Sequence, residues 1–408
     1  MRATSIYNNY DIYLFLLIVS TINGRYGLFI PSSVFTLFFI PHLIKNQEIL
    51  RYKKIGPVTF FLLLWIFYAV VSFLWAPDFH EAYVSSLMIF INSMSFLEII
   101  VFSMKANSPI KTLATGWICA FMLTSFVALW EITTNHHLVS AREEDLYMTT
   151  SLGDYLEKEY AAVTFYNYNT YCLYISLIFP FTLYAFSNCK RNILRLLNII
   201  PIILIVYIMS KNSSRGGLIT LGIMLVTFIF LKMKHSSFKG RTYLVLCIIA
   251  LALFLVVFRD VIFQTLFFRM EEKDLLEDNA RLFLWYASLQ ASLDSYLFGV
   301  GAGGMMPALE ASDENITDIY CSHNILLEIL LEYGLIITCG IVLFLVKVFK
   351  SVIKISDYRL KAVVMGSVFS FPSYSVINSE NTRFTFIWMF FATIFVFSNY
   401  KEYTNKYC

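Results

Sequence analysis

Long apolar runs separated by short polar segments recur from one end of this chain to the other. Many runs hold close to 20 residues, about the number that a helix needs to cross the ~30 Å hydrocarbon core of a bilayer. The pattern predicts an all-α polytopic membrane protein, a single integral membrane domain over 1–408 with about twelve transmembrane helices. The predicted spans are 11–24, 27–44, 57–76, 82–104, 112–131, 167–187, 193–210, 216–232, 242–258, 323–346, 361–378 and 384–399. Only a tight turn at Asn23 and Gly24 separates the first two, which are short.

Lysine and arginine are unevenly divided between the two sets of loops. With the N-terminus inside, 21 of the 31 basic residues fall in inner loops and ten in outer segments. Because cytoplasmic loops of membrane proteins carry an excess of Lys and Arg, we predict that both termini are cytoplasmic. Two outer segments are then long: 132–166, which is rich in acidic residues, and 259–322. Long structure on one face of a bundle is where sites are usually built.

Composition supports a membrane protein and excludes several other classes. Hydrophobic residues make up 58% of the 408 positions and charged residues only 14%, against about 25% charged in soluble domains. The net charge of +3 gives no basis for a nucleic-acid partner. Most of the seven cysteines lie inside apolar runs, and no His, Cys, Asp or Glu set has convincing metal-ligand spacing. We therefore expect no metal and no cofactor.

The second long outer segment contains a predicted short amphipathic helix, NARLFLWYASLQASLDSYLFG, 279–299. Its apolar residues recur at helical spacing and are Leu282, Trp285, Leu289, Leu293 and Leu297. The helix is too polar to span, so it should lie in the interface or pack against the bundle. Asn279 is its predicted N-cap, and GVGAGG, 299–304, ends it. Without a preceding strand these glycines do not form a nucleotide fold; they predict a flexible turn or one that passes near a phosphate.

Three of the arginines in outer segments are candidates for binding an anion. Arg215 precedes the pair Gly216 and Gly217 in KNSSRGGLIT, and glycine allows backbone to approach a ligand closely. Arg281 lies near the start of the amphipathic helix, and Arg383 precedes the last span. Each has an ordinary alternative: a turn with a snorkelling side chain for Arg215, a solvated helix face for Arg281 and an interface anchor for Arg383.

The stretch SHNILLEILLEYG starts a predicted span at its outer end. Ser322 is the predicted N-cap, which puts His323 and Asn324 at the head of the helix. An imidazole there is suited to acid–base chemistry near neutral pH, or else it caps the helix through a hydrogen bond. Glu328 and Glu332 follow at i, i+4 spacing. A carboxylate in an apolar helix requires a partner, either a structural arginine or a substrate.

Four motifs, in this order along the chain, resemble those of the O-antigen ligase and polymerase superfamily of bacterial envelopes. They are TFYNYNTY with Asn167 and Asn169, SSRGGLITLGI, RLFLWYASLQASLDSYLFGVGAGG and SHNILLEILLEYG. The first departs from the family pattern, because Tyr168 replaces the usual proline. The resemblance covers 160–340, the expected ligase and polymerase core region, and it implies a helical bundle of the membrane glycosyltransferase type.

The resemblance also implies an inverting glycosyltransferase that uses a polyprenyl-diphosphate-linked donor at the outer face of the bacterial cytoplasmic membrane. Arg215 and Arg281 would hold the diphosphate, and His323 would deprotonate or orient the acceptor hydroxyl. The further candidate substrate-binding residues are Gly216, Gly217, Asn169, Asn324, Glu332 and Arg383. The expected partners are an undecaprenyl-diphosphate-linked oligosaccharide and membrane lipid, with a chain-length regulator and a flippase as further candidates.

Two enzyme activities and one transport activity are open at this point. A polymerase joins a growing lipid-linked chain to a lipid-linked repeat unit, whereas a ligase moves finished glycan to lipid A core or another acceptor. The acidic segment 132–166 and the 17% aromatic content favour a polymerase of O-antigen, capsule or exopolysaccharide, because aromatic faces stack on sugars. A transporter of polysaccharide or lipid-linked oligosaccharide would carry ionisable residues along a central cavity and internal repeats, and the sequence shows neither.

Overall fold

The computed structural model describes the chain over 8–22, 31–138, 147–149, 155–157, 160–165, 167–237, 270–312, 320–379 and 381–399, and at the single positions 242 and 315. Two short strands, β1 (Tyr147–Thr149) and β2 (Tyr155–Glu157), form an antiparallel hairpin. The helices are α1 (Asn9–Val19), α2 (Pro31–Lys45), α3 (Gly56–Val71), α4 (Phe79–Lys105), α5 (Pro109–Thr134), α6 (Tyr168–Asn188), α7 (Asn192–Leu197), α8 (Ile199–Lys211), α9 (Arg215–His235), α10 (Met270–Asp294), α11 (Met305–Glu310), α12 (Ile325–Val352), α13 (Tyr358–Phe369), α14 (Phe371–Tyr374) and α15 (Thr385–Ser398). Single 3-10 turns lie at Ser20–Ile22, Gln47–Arg51, Ser72–Leu74 and Asn381–Arg383.

A helix lies at every predicted span that falls within the described residues. Two predictions lie outside the described residues. They are the span 242–258, apart from its first position, and the turn at Asn23 and Gly24. Among the described helices, seven are long and apolar enough to cross a membrane, and α1 and α15 are shorter apolar helices. Apart from the β1–β2 hairpin, the prediction of an all-helical polytopic membrane protein is confirmed.

Helices α4 and α6 lie at the centre of the bundle and are mostly buried. Helix α4 packs against α1, α2, α3 and α15, while α6 packs against α5, α8, α9 and α13. The outer surfaces of α3, α8 and α9 instead expose large apolar side chains, among them Phe60, Ile203 and Val226. A bilayer covers such surfaces with hydrocarbon, and every backbone polar group of a helix is already paired internally.

The amphipathic helix is longer at its start than the sequence predicted. Helix α10 begins at Met270, so Asn279 lies within the helix and the prediction that it forms the N-cap is wrong. The helix ends at Asp294 because Tyr296 and Leu297 have positive φ angles of 53° and 61°, which a right-handed helix does not contain.

The predicted span 361–378 is wrong in its last third. Helix α13 ends at Phe369, and α14 adds a single turn before the chain becomes irregular. Pro372 explains the interruption, because proline has no N–H for the helical ladder and its ring collides with the carbonyl four residues earlier. The segment 373–377, which begins with the last two residues of α14 and continues into the irregular chain, is important for the site described below.

Helix α12 is broken at Gly334, which has φ 74° and ψ −177°. The chain that follows α10 satisfies the backbone groups that the break frees. The carbonyl of Leu297 accepts the N–H of Leu335 at 2.8 Å, and the carbonyl of Leu331 accepts the N–H of Val300 at 2.7 Å. Irregular backbone at such a position is stable only where protein covers it, so the glycine turn and α12 form one packed unit.

The glycines of GVGAGG pack against backbone rather than forming an open loop. Gly301 has φ 99° and Gly303 has φ 70°, in the region that L-residues with side chains rarely adopt. A Cβ on Gly303 would lie 2.6 Å from the carbonyl oxygen of Glu81. The turn is buried, and its glycines allow close packing against the start of α4, which explains them without a bound phosphate.

Replacement of Gly334 by Ala is expected to destabilise the fold severely. The positive φ alone costs about 1–3 kcal/mol, and the new Cβ would lie 2.4 Å from the carbonyl oxygen of Phe298. Thermal unfolding of the purified protein in detergent measures the loss. Gly222→Ala is the matched control, because nothing lies within 4 Å of a Cβ at that helical position. Equal melting temperatures for the two variants would contradict the packed break.

Candidate functional site

Arg215 is the first residue of α9, and the turn before it is held by its own side chains. Ser213 has φ 53°, and the Ser214 hydroxyl caps the helix by accepting the N–H of Gly217 at 3.3 Å. The Arg215 side chain is exposed. The positive end of the helix dipole adds to the guanidinium charge, and both favour an anion at this turn.

The two glycines after Arg215 contact protein. A Cβ on Gly217 would lie 2.3 Å from the Met209 sulfur, and one on Gly216 would lie 3.1 Å from Cγ1 of Ile377. The pair therefore lets α9 approach α8 and the 373–377 segment closely. Their predicted contact with substrate stays a prediction.

The chain just before the turn is fixed to the loop 160–165. Asn212 is buried; its Oδ1 accepts the N–H of Ala161 at 2.8 Å and its Nδ2 donates to the Ala161 carbonyl at 2.9 Å. Glu131, buried at the end of α5, accepts the N–H groups of Ala162 and Val163 at 2.9 and 2.8 Å. Neither Asn212 nor Glu131 was singled out from the sequence, because a buried amide and carboxylate of this kind carry no motif.

Asn169 lies in the first turn of α6 and is half-buried. The cap of that helix is Asn167, whose Oδ1 accepts the N–H of Asn169 at 2.7 Å. The two asparagines of TFYNYNTY thus have different roles in the fold, because Asn167 caps the helix and Asn169 lies in its first turn. The role of Asn169 in substrate binding stays a prediction.

The head of α12 differs from the prediction in its capping residue. Asn324, not Ser322, is the N-cap, and its Oδ1 accepts the N–H groups of Leu326 and Leu327 at 3.1 and 3.4 Å. The Ser322 carbonyl instead accepts the indole N–H of Trp285 at 2.9 Å. This bond ties α10 to the residue immediately before His323.

His323 and Arg281 lie close enough for their charges to interact. Burial and the Arg281 charge together lower the pKa of His323 from 6.5 to about 4. The imidazole is therefore neutral at physiological pH and can accept a proton. Its Nδ1 is buried and makes no hydrogen bond in the described part of the chain, and the residue has φ 48°, a sparsely populated conformation typical of functional positions.

The segment 373–377 brings the predicted groups together. The Arg281 guanidinium Nη1 donates to the Val376 carbonyl at 3.4 Å, and the N–H of Ile325, two residues after His323, donates to the Ser375 carbonyl at 3.0 Å. The Ser373 hydroxyl donates to the Gly216 carbonyl at 2.9 Å. Motifs from three distant parts of the sequence thus meet at one short segment.

A second polar cluster follows along α12. Glu328 is buried, and its Oε2 accepts the backbone N–H of Asn381 at 2.9 Å and the side-chain amide at 3.1 Å. Arg383 donates to Glu81 at 2.5 Å and to the Ser85 hydroxyl at 3.0 Å. A small cavity joins the two halves of the cluster and is lined by Gly303, Met305, Met306, Glu328, Glu332, Thr382 and Arg383.

The ion pair between Arg383 and Glu81 changes the interpretation of Arg383. The sequence suggested a substrate contact or an interface anchor, whereas the structure gives its charge a carboxylate partner on α4. Glu81 was not predicted, because the two residues are far apart in sequence. Within the described residues, no group of three or more His, Cys, Asp or Glu side chains has the arrangement of a metal site.

The fold and the site together define the class: a multi-pass membrane protein whose candidate site combines arginines with a neutral imidazole. Residues 199–345 match the family model described as O-Antigen ligase, a region that contains Arg215, Arg281 and His323. The teichuronic acid biosynthesis protein TuaE of Bacillus subtilis (strain 168) is 24% identical over 360 residues, covering 84% of this chain and 71% of the relative. Both similarities support the resemblance to the O-antigen ligase and polymerase superfamily that the motifs indicated.

Proposed function

We propose that this protein is a polymerase of a surface polysaccharide. It would transfer a growing glycan from polyprenyl diphosphate onto a lipid-linked repeat unit at the outer face of the cytoplasmic membrane. The observation that carries the proposal is that the Arg215 turn, Arg281 and the head of α12 just after the neutral His323 all contact the 373–377 segment. Phosphate-binding cations beside a proton acceptor are what this transfer requires.

Arg215 and Arg281 would bind the diphosphate of the donor. A guanidinium pairs with phosphate oxygens through two parallel hydrogen bonds and stays charged at every relevant pH. As the bond between the anomeric carbon and the phosphate oxygen breaks, the electron pair leaves with the diphosphate. Fixed cations stabilise that growing charge more in the transition state than in the ground state, which is the condition for catalysis rather than mere binding.

His323 would accept the proton of the acceptor hydroxyl while its oxygen forms the new glycosidic bond. The neutral imidazole has the required protonation state, and its proton would later pass to water. Attack on the face opposite the departing diphosphate inverts the anomeric centre. No metal or cofactor enters this sequence of bond changes.

The pH dependence of the reaction should differ between free and substrate-bound enzyme. Arg281 helps to hold the pKa of free His323 at about 4, so kcat/KM should stay level between pH ~6 and ~8 and fall only as pH approaches 4. A bound diphosphate offsets the Arg281 charge and raises the His323 pKa, so the acid limb of kcat should lie at higher pH than that of kcat/KM. Steady-state rates over this pH range test both statements. An acid limb of kcat/KM at 6.5 or above would contradict them.

The ligase is the second candidate, and the description of the matching family model favours it. One experiment separates the two: a gel of surface polysaccharide from a strain lacking the gene, beside an analysis of its lipid-linked pool. Collapse of the ladder to a single repeat unit identifies a polymerase. Long chains that persist only on the polyprenyl lipid identify a ligase. Two normal pools would contradict both and favour a transporter.

A further inference from the structure

The 373–377 segment interrupts a predicted span and carries no charged residue, yet it contacts the turn that holds Arg215, the Arg281 side chain and the head of α12 just after His323. Its first residue faces the Arg215 turn. The Ser373 hydroxyl donates to the Gly216 carbonyl at 2.9 Å and lies 3.0 Å from the Thr220 hydroxyl, which donates to the same carbonyl at 2.8 Å. A small three-membered network therefore fixes the first turn of α9, directly after Arg215.

The next residues of the segment face the other two groups through their backbone. The carbonyls of Ser375 and Val376 accept hydrogen bonds from Ile325 N–H and from the Arg281 guanidinium, at 3.0 and 3.4 Å. Adjacent carbonyls thus hold the head of α12 and the end of the Arg281 side chain. These two acceptors belong to consecutive planar peptide units that are joined at the Cα of Val376, so the backbone at this residue sets the distance between the two groups.

The segment is itself well anchored. Tyr374 is 1% exposed and packs against Phe371 and Phe390, with ring centroids 5.4 and 6.1 Å away. Ile377 is also buried, against the position where Gly216 has no side chain. A site whose groups come from different helices works only if each is held within about 0.5 Å of its productive place by packed supporting residues.

We propose that the 373–377 segment is the positioning element of the site and that Ser373 is a positioning residue, which fixes the Arg215 turn relative to Arg281 and His323. This inference rests on the proposed function and adds to it. Ser373 would not touch the substrate. It would act through Gly216 on the placement of the guanidinium that receives the leaving diphosphate.

Ser373→Ala is the first test. The initial rate of the purified enzyme is measured over a range of concentrations of the lipid-linked donor. Because misplacement of a reacting group by about 1 Å costs roughly 100-fold, kcat should fall about 10- to 100-fold with a smaller change in KM. Ser373→Thr should restore most of the rate, since it keeps the hydroxyl. Ser187→Ala is the matched control, because the Ser187 hydroxyl donates to the Tyr184 carbonyl within α6 at 2.9 Å, outside the 373–377 segment. Wild-type kinetics for Ser373→Ala would overturn the inference.

A double-mutant cycle with Arg215→Gln separates positioning from general damage. If Ser373 acts through Arg215, Ser373→Ala should lower the rate little further once Arg215 is replaced. A full additional loss in that background would overturn the inference while leaving the proposed function standing. A normal rate for Arg215→Gln alone would instead contradict the proposed function.

If Ser373→Ala folds poorly, a pair of substitutions at Gly216 and Ile377 tests the same contact, because the second substitution should reverse the effect of the first. Gly216→Ala places a Cβ 3.1 Å from Ile377 Cγ1 and should shift the Arg215 turn, lowering kcat. Ile377→Ala removes that atom, so the double variant should recover part of the lost rate. Failure of the double variant to recover any rate, at normal thermal stability, would count against the contact between the segment and the turn.

Discussion

His323→Asn is expected to reduce polymer formation by about 10²- to 10⁴-fold, the usual contribution of a positioned general base. Asparagine is the informative replacement, because it tolerates the positive φ of 48° at this position better than alanine does. It therefore removes the proton acceptor with little strain on the backbone. The measurement is the rate of lipid-linked oligomer formation by purified enzyme, with the melting temperature recorded for each variant.

The matched control for this prediction is His136→Asn, which changes an exposed imidazole in the predicted outer segment 132–166. It should leave the rate within about twofold of wild type, as expected for a surface substitution. Retention of normal activity by His323→Asn would refute the general-base role. A loss of only about tenfold would instead favour the orienting role, in which the amide substitutes for the imidazole as a hydrogen-bond partner.

Arg215→Gln and Arg281→Gln should each slow the reaction by about 10²- to 10³-fold, the cost of removing one preorganised donor from a developing negative charge. Lysine at either position should retain part of the rate, because it keeps the charge and loses the planar fork. Most of the effect should appear in kcat, since the diphosphate gains charge as it leaves. Initial rates over a range of donor concentration separate kcat from KM.

Arg195→Gln provides the control for both arginines. Arg195 is exposed and donates to the Cys189 carbonyl near the start of α7 at 2.8 Å, so the same chemical change falls outside the candidate site. It should leave kcat unaltered. Normal kcat and KM for both Arg215→Gln and Arg281→Gln would mean that the diphosphate binds elsewhere.

The spans and the site motifs were predictable from sequence because each carries a local signal. Runs of about 20 apolar residues mark helices, and an arginine before two glycines or a histidine at the head of a span stands out in an apolar chain. Arg215 and His323 were found in this way, and Arg281 was found near the start of the amphipathic helix. The structure places Arg281 and His323 within range of each other's charge.

The connections between these motifs were not predictable, because they are made by backbone groups and by residues distant in sequence. Ser375 and Val376 contribute carbonyl oxygens, which every residue has. The partner of Arg383 is Glu81, at the other end of the chain. One signal was present: Pro372 lies at the interruption between α13 and the single turn α14, within the predicted span 361–378.

The break in α12 shows a similar limit. Gly334 was part of a motif, yet its φ of 74° and the hydrogen bond from Leu335 to Leu297 depend on the chain folding back after α10. A single glycine in an apolar run does not reveal whether it bends the helix or merely tolerates a close neighbour. Here Gly334 bends the helix. That bend positions the half of the helix that carries Glu328 and Glu332 beside Arg383.

The most direct measurement of the central claim uses purified protein in detergent with one substrate only, the polyprenyl-diphosphate-linked repeat unit. Mass spectrometry of the products should show lipid-linked chains of two or more repeats, with one released polyprenyl diphosphate for each bond formed, and both should be lost in His323→Asn. If the wild-type protein forms no oligomer from this substrate and transfers glycan only when a different acceptor is supplied, it is a ligase and the polymerase account is wrong.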